Sequence, residues 1–171
     1  MGNPHHTNLS KLTFRRATLQ DLDAYLALRL GMLAELGMLP QEPQRTELVH
    51  ANLRYFQEKI PLDAFLAWVV ESAGESIAIG GLLLFERPPN GENMAGLEGY
   101  VMNMYTLPGW RSRGIATRLM QVIIEYMRSR RASRLWLHAT RLGRPIYEGY
   151  GFTQVNQDLL PETNVEMELR L

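Results

Sequence analysis

Between Leu97 and Thr140 the chain reads as a strand, an arginine- and glycine-rich turn, an amphipathic helix and a second strand, an order that restricts how the strands can pair. Residues 97–107 carry Val101 and Tyr105 as strand formers, and Pro108-Gly109 ends the run. The helix is expected over 115–130, with Ile115, Leu119, Val122, Ile123 and Tyr126 on one stripe and Arg118, Gln121, Glu125 and Arg128 largely opposite. Residues 134–140 form the next strand. A strand–helix–strand unit of this kind closes as a right-handed crossover between parallel strands, so the chain needs a sheet with helices packed on it.

The rest of the sequence supplies that sheet. Residues 13–17 read as a first strand, after which Thr18 is a cap residue and Asp21 an acid in the first helical turn, where the helix dipole favours it. Leu22, Tyr25, Leu26, Arg29 and Leu33 recur at helical spacing. A second helix is expected from about Thr46 to Lys59 with Leu48, Ala51, Tyr55 and Phe56 on one side. Residues 64–70 and 77–85 flank a turn containing Gly74 and predict an antiparallel hairpin, with Gly80-Gly81 as a bend. A short helix over 145–149, ended by Gly151, precedes strands near 152–155 and 165–171. No repeat or composition shift divides the 171 residues, so one domain is expected, with residues 1–11 as a flexible N-terminal extension.

The turn at Arg111-Ser112-Arg113-Gly114-Ile115-Ala116 is the chemical signal. A helix start offers unpaired backbone N–H groups and the positive end of the dipole, which together favour phosphate. Gly114 admits a close approach, Ala116 keeps the next turn small, and Arg111 and Arg113 add charge suited to a pyrophosphate. The residues expected at the phosphate are therefore Arg111, Ser112, Arg113, Gly114, Ile115, Ala116 and Thr117. Nine arginines and one acid, Glu125, lie between Arg111 and Arg144. Such a segment suits nucleic acid, a small phosphorylated cofactor or a solvated helix face. The zero formal net charge and the lack of a recognised reading motif argue against nucleic acid.

Other classes fall away by their motifs. The chain has no G-x-x-x-x-G-K-[ST], no G-x-G-x-x-G after an early strand, no H-E-x-x-H and no G-x-S-x-G. With no cysteine it has neither thiolate ligands nor a cysteine nucleophile, and no metal is expected. The most apolar run, residues 77–85, is under half the length of a membrane span. The first residues lack the apolar core of an export signal, so a cytoplasmic protein without a membrane partner is expected.

Taken together, these segments resemble the GNAT superfamily of acyl-CoA-dependent N-acetyltransferases. Phe14-Arg15-Arg16-Ala17-Thr18 with Asp21-Leu22 looks like the family's opening strand and helix, and Thr106-Leu107-Pro108 before the turn looks like its central motif. Tyr147-Glu148-Gly149-Tyr150-Gly151-Phe152 is similar to the family's Tyr-Glu-x-x-Gly-Phe. The resemblance implies an α/β fold of the α+β kind: a mixed, mostly antiparallel sheet of six to seven strands, about four flanking helices and a splayed central parallel pair. It also implies acetyl-CoA as co-substrate and a primary amine of a small molecule, peptide or protein as acceptor. Strands near the C-terminus would pair in a homodimer, as in many relatives.

Carried over residue by residue, the resemblance makes the backbone of Met104, Tyr105 and Thr106 the edge that pairs with pantetheine, and Tyr147 the general acid. A phenol with a reference pKa near 10 keeps its proton at neutral pH and can give it to the departing thiolate. The family often has asparagine seven residues before this tyrosine. Here Thr140 stands there, and its hydroxyl can hydrogen-bond the pantetheine arm. Glu98, on the strand that would line the cleft, and His138, with a reference pKa near 6.5, are the candidates for a base. Met32, Met38 and the loop 37–44 are acceptor-wall candidates by analogy with the family. A non-catalytic acyl-CoA-binding module of the same fold is the alternative, and retention of Tyr147 favours the enzyme.

Overall fold

A computed structural model describes residues 9–155 and 165–171. Among the described residues seven strands form one sheet in the order β1-β2-β3-β4-β5-β7-β6: β1 Thr13–Arg16, β2 Phe65–Ser72, β3 Glu75–Glu86, β4 Leu97–Thr106, β5 Arg134–Ala139, β6 Thr153–Gln154 and β7 Val165–Arg170. The helices are α1 Leu22–Glu35, α2 Gln44–Lys59, α3 Ile115–Ser129 and α4 Arg144–Gly149. The chain divides into two compact units, Met1–Gly81 with Asn103–Leu119 and Leu82–Met102 with Met120–Leu171, and β3, β4 and α3 each run through both. Most of the expected N-terminal extension lies outside the described residues; its last three, Leu9–Lys11, form a 3-10 turn. No helix among the described residues is long and apolar enough to cross a membrane, and no group of three or more potential metal ligands occurs among them.

In the first unit, β1 lies antiparallel to β2, from Thr13 opposite Glu71 to Arg16 opposite Trp68. Thr18 and Asp21 form a capping box ahead of α1: the Thr18 hydroxyl accepts from the Gln20 N–H, and Asp21 accepts from the Thr18 N–H at 2.8 Å. Asp21 also receives Arg15 at 2.6 Å, and that guanidinium bonds Glu71 as well, so β1, β2 and the start of α1 are tied by one arginine. β2 and β3 are joined by Ala73-Gly74, both at positive φ (51° and 84°), the requirement of a two-residue type I′ hairpin. Tyr25, Phe56 and Phe65 meet at ring separations of 5.1 to 6.2 Å under α1 and α2.

The buried side of α2 differs from the expected one. Ala51 is exposed, whereas Asn52 is buried one turn before Phe56 and two before Ile60, because Asn52 holds a polar contact described below. Gly80-Gly81 does not interrupt β3.

In the second unit the expected parallel pair is present, with four partners running from Glu98–Arg134 to Val101–Leu137. β5 is antiparallel to β7 from Arg134–Arg170 to Ala139–Val165, and β6 adds to β7. Glycine is required at 99 for space: a Cβ there would stand 2.7 Å from Met127, 2.8 Å from Leu82 and 2.9 Å from Leu135. The buried stripe of α3 holds the expected Ile115, Leu119 and Ile123 and extends to Met120, Ile124 and Met127, while Val122 and Tyr126 are half-exposed. Unbranched methionine adapts to the space left beneath the strands.

Candidate functional site

The expected phosphate turn lies wholly in the first unit. At the end of β4, Leu107 donates to the Ile77 carbonyl at 3.0 Å, and Pro108–Trp110 forms a 3-10 turn. Ser112 (φ 59°) and Gly114 (φ 77°) then take the left-handed conformation on either side of Arg113. This bends the chain so that α3 begins at once, its first intrahelical bond running from Arg118 N–H to Gly114 O at 2.9 Å. The N–H groups preceding that bond have no partner within the helix, and a turn with alternating handedness turns such groups toward one side, the geometry that suits an anion. A Cβ on Gly114 would meet only Leu9, at 3.7 Å, so glycine is demanded by the dihedral angle rather than by crowding. Ile115 is buried and anchors the helix start, while Ser112, Gly114 and Thr117 are exposed.

Arg111 stands beside this turn, already engaged. Its Nη2 donates to both oxygens of Glu35 at 2.9 and 2.6 Å, its Nε donates to the Thr106 carbonyl at 2.9 Å, and the guanidinium lies 5.4 Å from the centre of the Tyr105 ring. Tyr105 also donates to Glu35 at 2.7 Å. That bond, followed by the one from Arg111, holds the Glu35 carboxyl below its ordinary pKa, and burial raises the Tyr105 phenol. The arginine thus fastens the last turn of α1 to the end of β4, next to the backbone of Met104, Tyr105 and Thr106. Arg113 stacks on Trp110 at 4.9 Å.

Above the same strand segment lies a polar cluster that the sequence had not singled out. Asn103 is buried at φ 56°. Its Oδ1 accepts from Arg29, and its Nδ2 donates to the Tyr25 hydroxyl at 3.2 Å. Arg29 Nε donates to Asn52 Oδ1 at 2.7 Å. The available signal was an arginine within the apolar stripe of α1.

The second unit holds the other expected residues. Tyr147, on α4, is 8 % exposed, and burial pushes its phenol up to about 12. Its ring leans on Phe152 at 5.8 Å, and its carbonyl accepts the Phe152 N–H at 3.1 Å across Gly151, whose φ is 87°. Among the described residues its hydroxyl has no hydrogen-bond partner. Gly143 and Thr140 border it: a Cβ on Gly143 would be 3.1 Å from the Tyr147 ring and 3.4 Å from Thr140 Oγ1. That oxygen accepts the Gly143 N–H at 3.2 Å, so Thr140 shapes the lead-in to α4 and keeps its own proton to donate.

Glu98 is 12 % exposed, and its Oε2 accepts from Arg134 at 3.0 and 3.2 Å and lies 3.3 Å from Arg87 Nε. Arg134 continues to Glu168 at 2.8 Å, so Glu98 is one member of an ion-pair ladder across three strands. His138 is exposed on β5. Its Nδ1 is 3.1 Å from the Tyr100 hydroxyl, and Trp136 packs 4.3 Å from the Tyr100 ring. Burial, then the Glu166 charge, raises the Tyr100 phenol.

Comparisons with known proteins agree on one family. The sequence model of the Acetyltransferase (GNAT) family matches residues 33–152. A protein of Escherichia coli (strain K12), the uncharacterized N-acetyltransferase YjgM, is 30 % identical over 166 residues, covering 92 % of this chain and 91 % of that one. A predicted acetyltransferase of Clostridium acetobutylicum, solved with acetyl-CoA, is also 30 % identical, with a TM-score of 0.74 over 88 % of this chain and 95 % of the other. A GCN5-related N-acetyltransferase of Ralstonia eutropha JMP134 is 25 % identical, with a TM-score of 0.74 over 88 % and 97 %.

Proposed function

Because the chain belongs to the GNAT family of acetyltransferases, we propose that it moves an acetyl group from acetyl-CoA to a primary amine of a small molecule or peptide by direct attack. The observation that carries this reading is the turn at Arg111–Ala116, bent by two left-handed residues into the start of α3. Its helix-start N–H groups receive the diphosphate of CoA, with Arg113 and Thr117 at its rim. The backbone of Met104 to Thr106 pairs with the pantetheine arm. The relative solved with acetyl-CoA supports that choice of co-substrate.

In the reaction the amine lone pair attacks the thioester carbonyl carbon, the C–S bond breaks, and the sulfur leaves as a thiolate that takes up a proton. A backbone N–H of the Met104–Thr106 segment polarises the carbonyl. Tyr147 serves the sulfur. A pKa of about 12 keeps it protonated at any working pH but makes it a weak acid, so its main service is a hydrogen bond to the forming thiolate, and any proton it passes to the sulfur is restored from water. Glu98 Oε2 already receives guanidinium donors from Arg134 and Arg87, which favours His138, exposed on β5, as the acceptor of the proton lost by the amine.

Incubation with acetyl-CoA and a broad panel of amines, reading free thiol and acetylated product, tests the proposal. Amine-dependent thiol release that falls at least tenfold in Tyr147→Phe, with acetyl-CoA affinity retained, is expected, since a hydrogen bond to a charged group contributes about 1.5–3 kcal/mol. Tight acetyl-CoA binding with no thiol release for any amine would point instead to a non-catalytic CoA-binding module.

A further inference from the structure

Arg29 is a half-buried arginine that the proposed chemistry leaves unused and with which no acid among the described residues pairs. Arg15 has Asp21 and Glu71 as partners, Arg111 has Glu35, and Arg134 has Glu98 and Glu168. Arg29 bonds only neutral amide oxygens, those of Asn52 and Asn103, and its guanidinium sits 6.0 Å from the Phe56 ring. No carboxylate among the described residues pairs with it. A desolvated charge without a counter-ion is costly, and an anionic ligand would supply the missing partner.

The guanidinium is also held in a fixed orientation. Asn52 Nδ2 donates to the Leu48 carbonyl at 2.8 Å and Asn103 Nδ2 donates to the Tyr25 hydroxyl, which itself donates to the Gly80 carbonyl at 3.3 Å. Both amides therefore have their oxygens committed to Arg29. Two of the five N–H donors are used in this way, and the rest of the planar fork remains for an oxyanion. Burial lowers the Arg29 pKa from its ordinary value, yet an arginine remains charged.

The position of the fork suggests what the oxyanion belongs to. Asn103 immediately precedes Met104, the first residue of the segment proposed to pair with pantetheine, so an anion on Arg29 would lie within a small molecule's length of the thioester. Met32, half-exposed, follows Arg29 by three residues and shares its side of α1.

We propose that Arg29 receives a carboxylate or phosphate group of the amine acceptor, which makes the acceptor a small amino acid-like or aminophosphate compound. This rests on the N-acetyltransferase reading and adds the substrate class to it.

The test compares matched acceptors: each of the common amino acids against its amide, and phosphoethanolamine against ethanolamine, with acetyl-CoA and thiol release as the readout. For at least one pair the wild-type protein should use the anionic member with a kcat/KM about tenfold or more above its neutral partner, and the ratio should fall toward one in Arg29→Gln. Arg29→Lys, which keeps charge but not the fork, should recover only part of it. The carboxylate and phosphate pairs tell the two oxyanions apart. Neutral and anionic members used alike by the wild type, or a preference that survives in Arg29→Gln, overturns the assignment. A second arm, calorimetry of N-acetyl amino acids and their amides with the CoA-loaded protein, needs no turnover. Preferential binding of the acids there without any thiol release would uphold the anion site while rejecting the enzymatic reading, and equal or absent binding of both would reject the site.

Discussion

Replacing Gly114 by alanine separates what the phosphate turn needs from what it merely tolerates. The new methyl group has room, since its nearest neighbour is Leu9 at 3.7 Å. The φ of 77° is the obstacle, because an L-residue in the left-handed region costs about 1–2 kcal/mol. If the turn keeps its shape, that strain appears as lost stability, a fall in Tm of roughly 2–8 °C for a chain of this size. If the turn relaxes, the N–H groups at the start of α3 lose their aim, and each hydrogen bond lost to a charged phosphate is worth about 1.5–3 kcal/mol, or about tenfold to 150-fold in affinity. Thermal unfolding of the free protein and calorimetric titration with acetyl-CoA measure both arms. Gly114→Asn, whose side chain tolerates this conformation better, should recover part of the stability. An alanine variant that unfolds at the wild-type temperature and binds acetyl-CoA as tightly would refute the reasoning.

Two further outcomes follow from the packing and the charges. Gly99→Ala places a methyl group within 3 Å of Met127, Leu82 and Leu135 and should destabilise the protein by about 1–3 kcal/mol, read as a lower denaturation midpoint with no change in the pH profile of activity. The hydrogen bond from Arg15, the largest cause, holds Asp21 at about 2 against an ordinary 3.8; a depressed folded-state pKa contributes stability that is full above about pH 4 and lost as pH falls toward 2, so Asp21→Asn should flatten acid unfolding in that window.

Much of the fold was legible because it is written in local pattern. The α3 helix, the strands on either side of it, the Gly74 hairpin and the Thr18 cap follow from periodicity and turn chemistry over a few residues. The errors are where a distant partner decides. Ala51 was placed inside α2 on hydrophobicity alone, but Asn52 is the buried residue because Arg29, 23 positions away, needs its oxygen. Glu98 read as an available carboxylate, and its guanidinium partner Arg134 stands 36 residues later on the neighbouring strand. Arg111 read as a simple phosphate cation, although Glu35, 76 residues earlier, already holds it. Spacing along one element cannot reveal any of these pairs. In α3 the expected Ile115, Leu119 and Ile123 are buried, and the stripe widens past them to Met120, Ile124 and Met127 rather than to Val122 and Tyr126.

Acetyl transfer as proposed requires the turn from Arg111 to Ala116 to hold the diphosphate of acetyl-CoA. Parallel titrations with acetyl-CoA and S-acetylpantetheine, two thioesters that differ by the nucleotide diphosphate, test it most directly. Acetyl-CoA should bind at least about a hundredfold more tightly, the worth of two charge-assisted hydrogen bonds, and Gly114→Ala should narrow that gap. Comparable affinities for the two thioesters would contradict it.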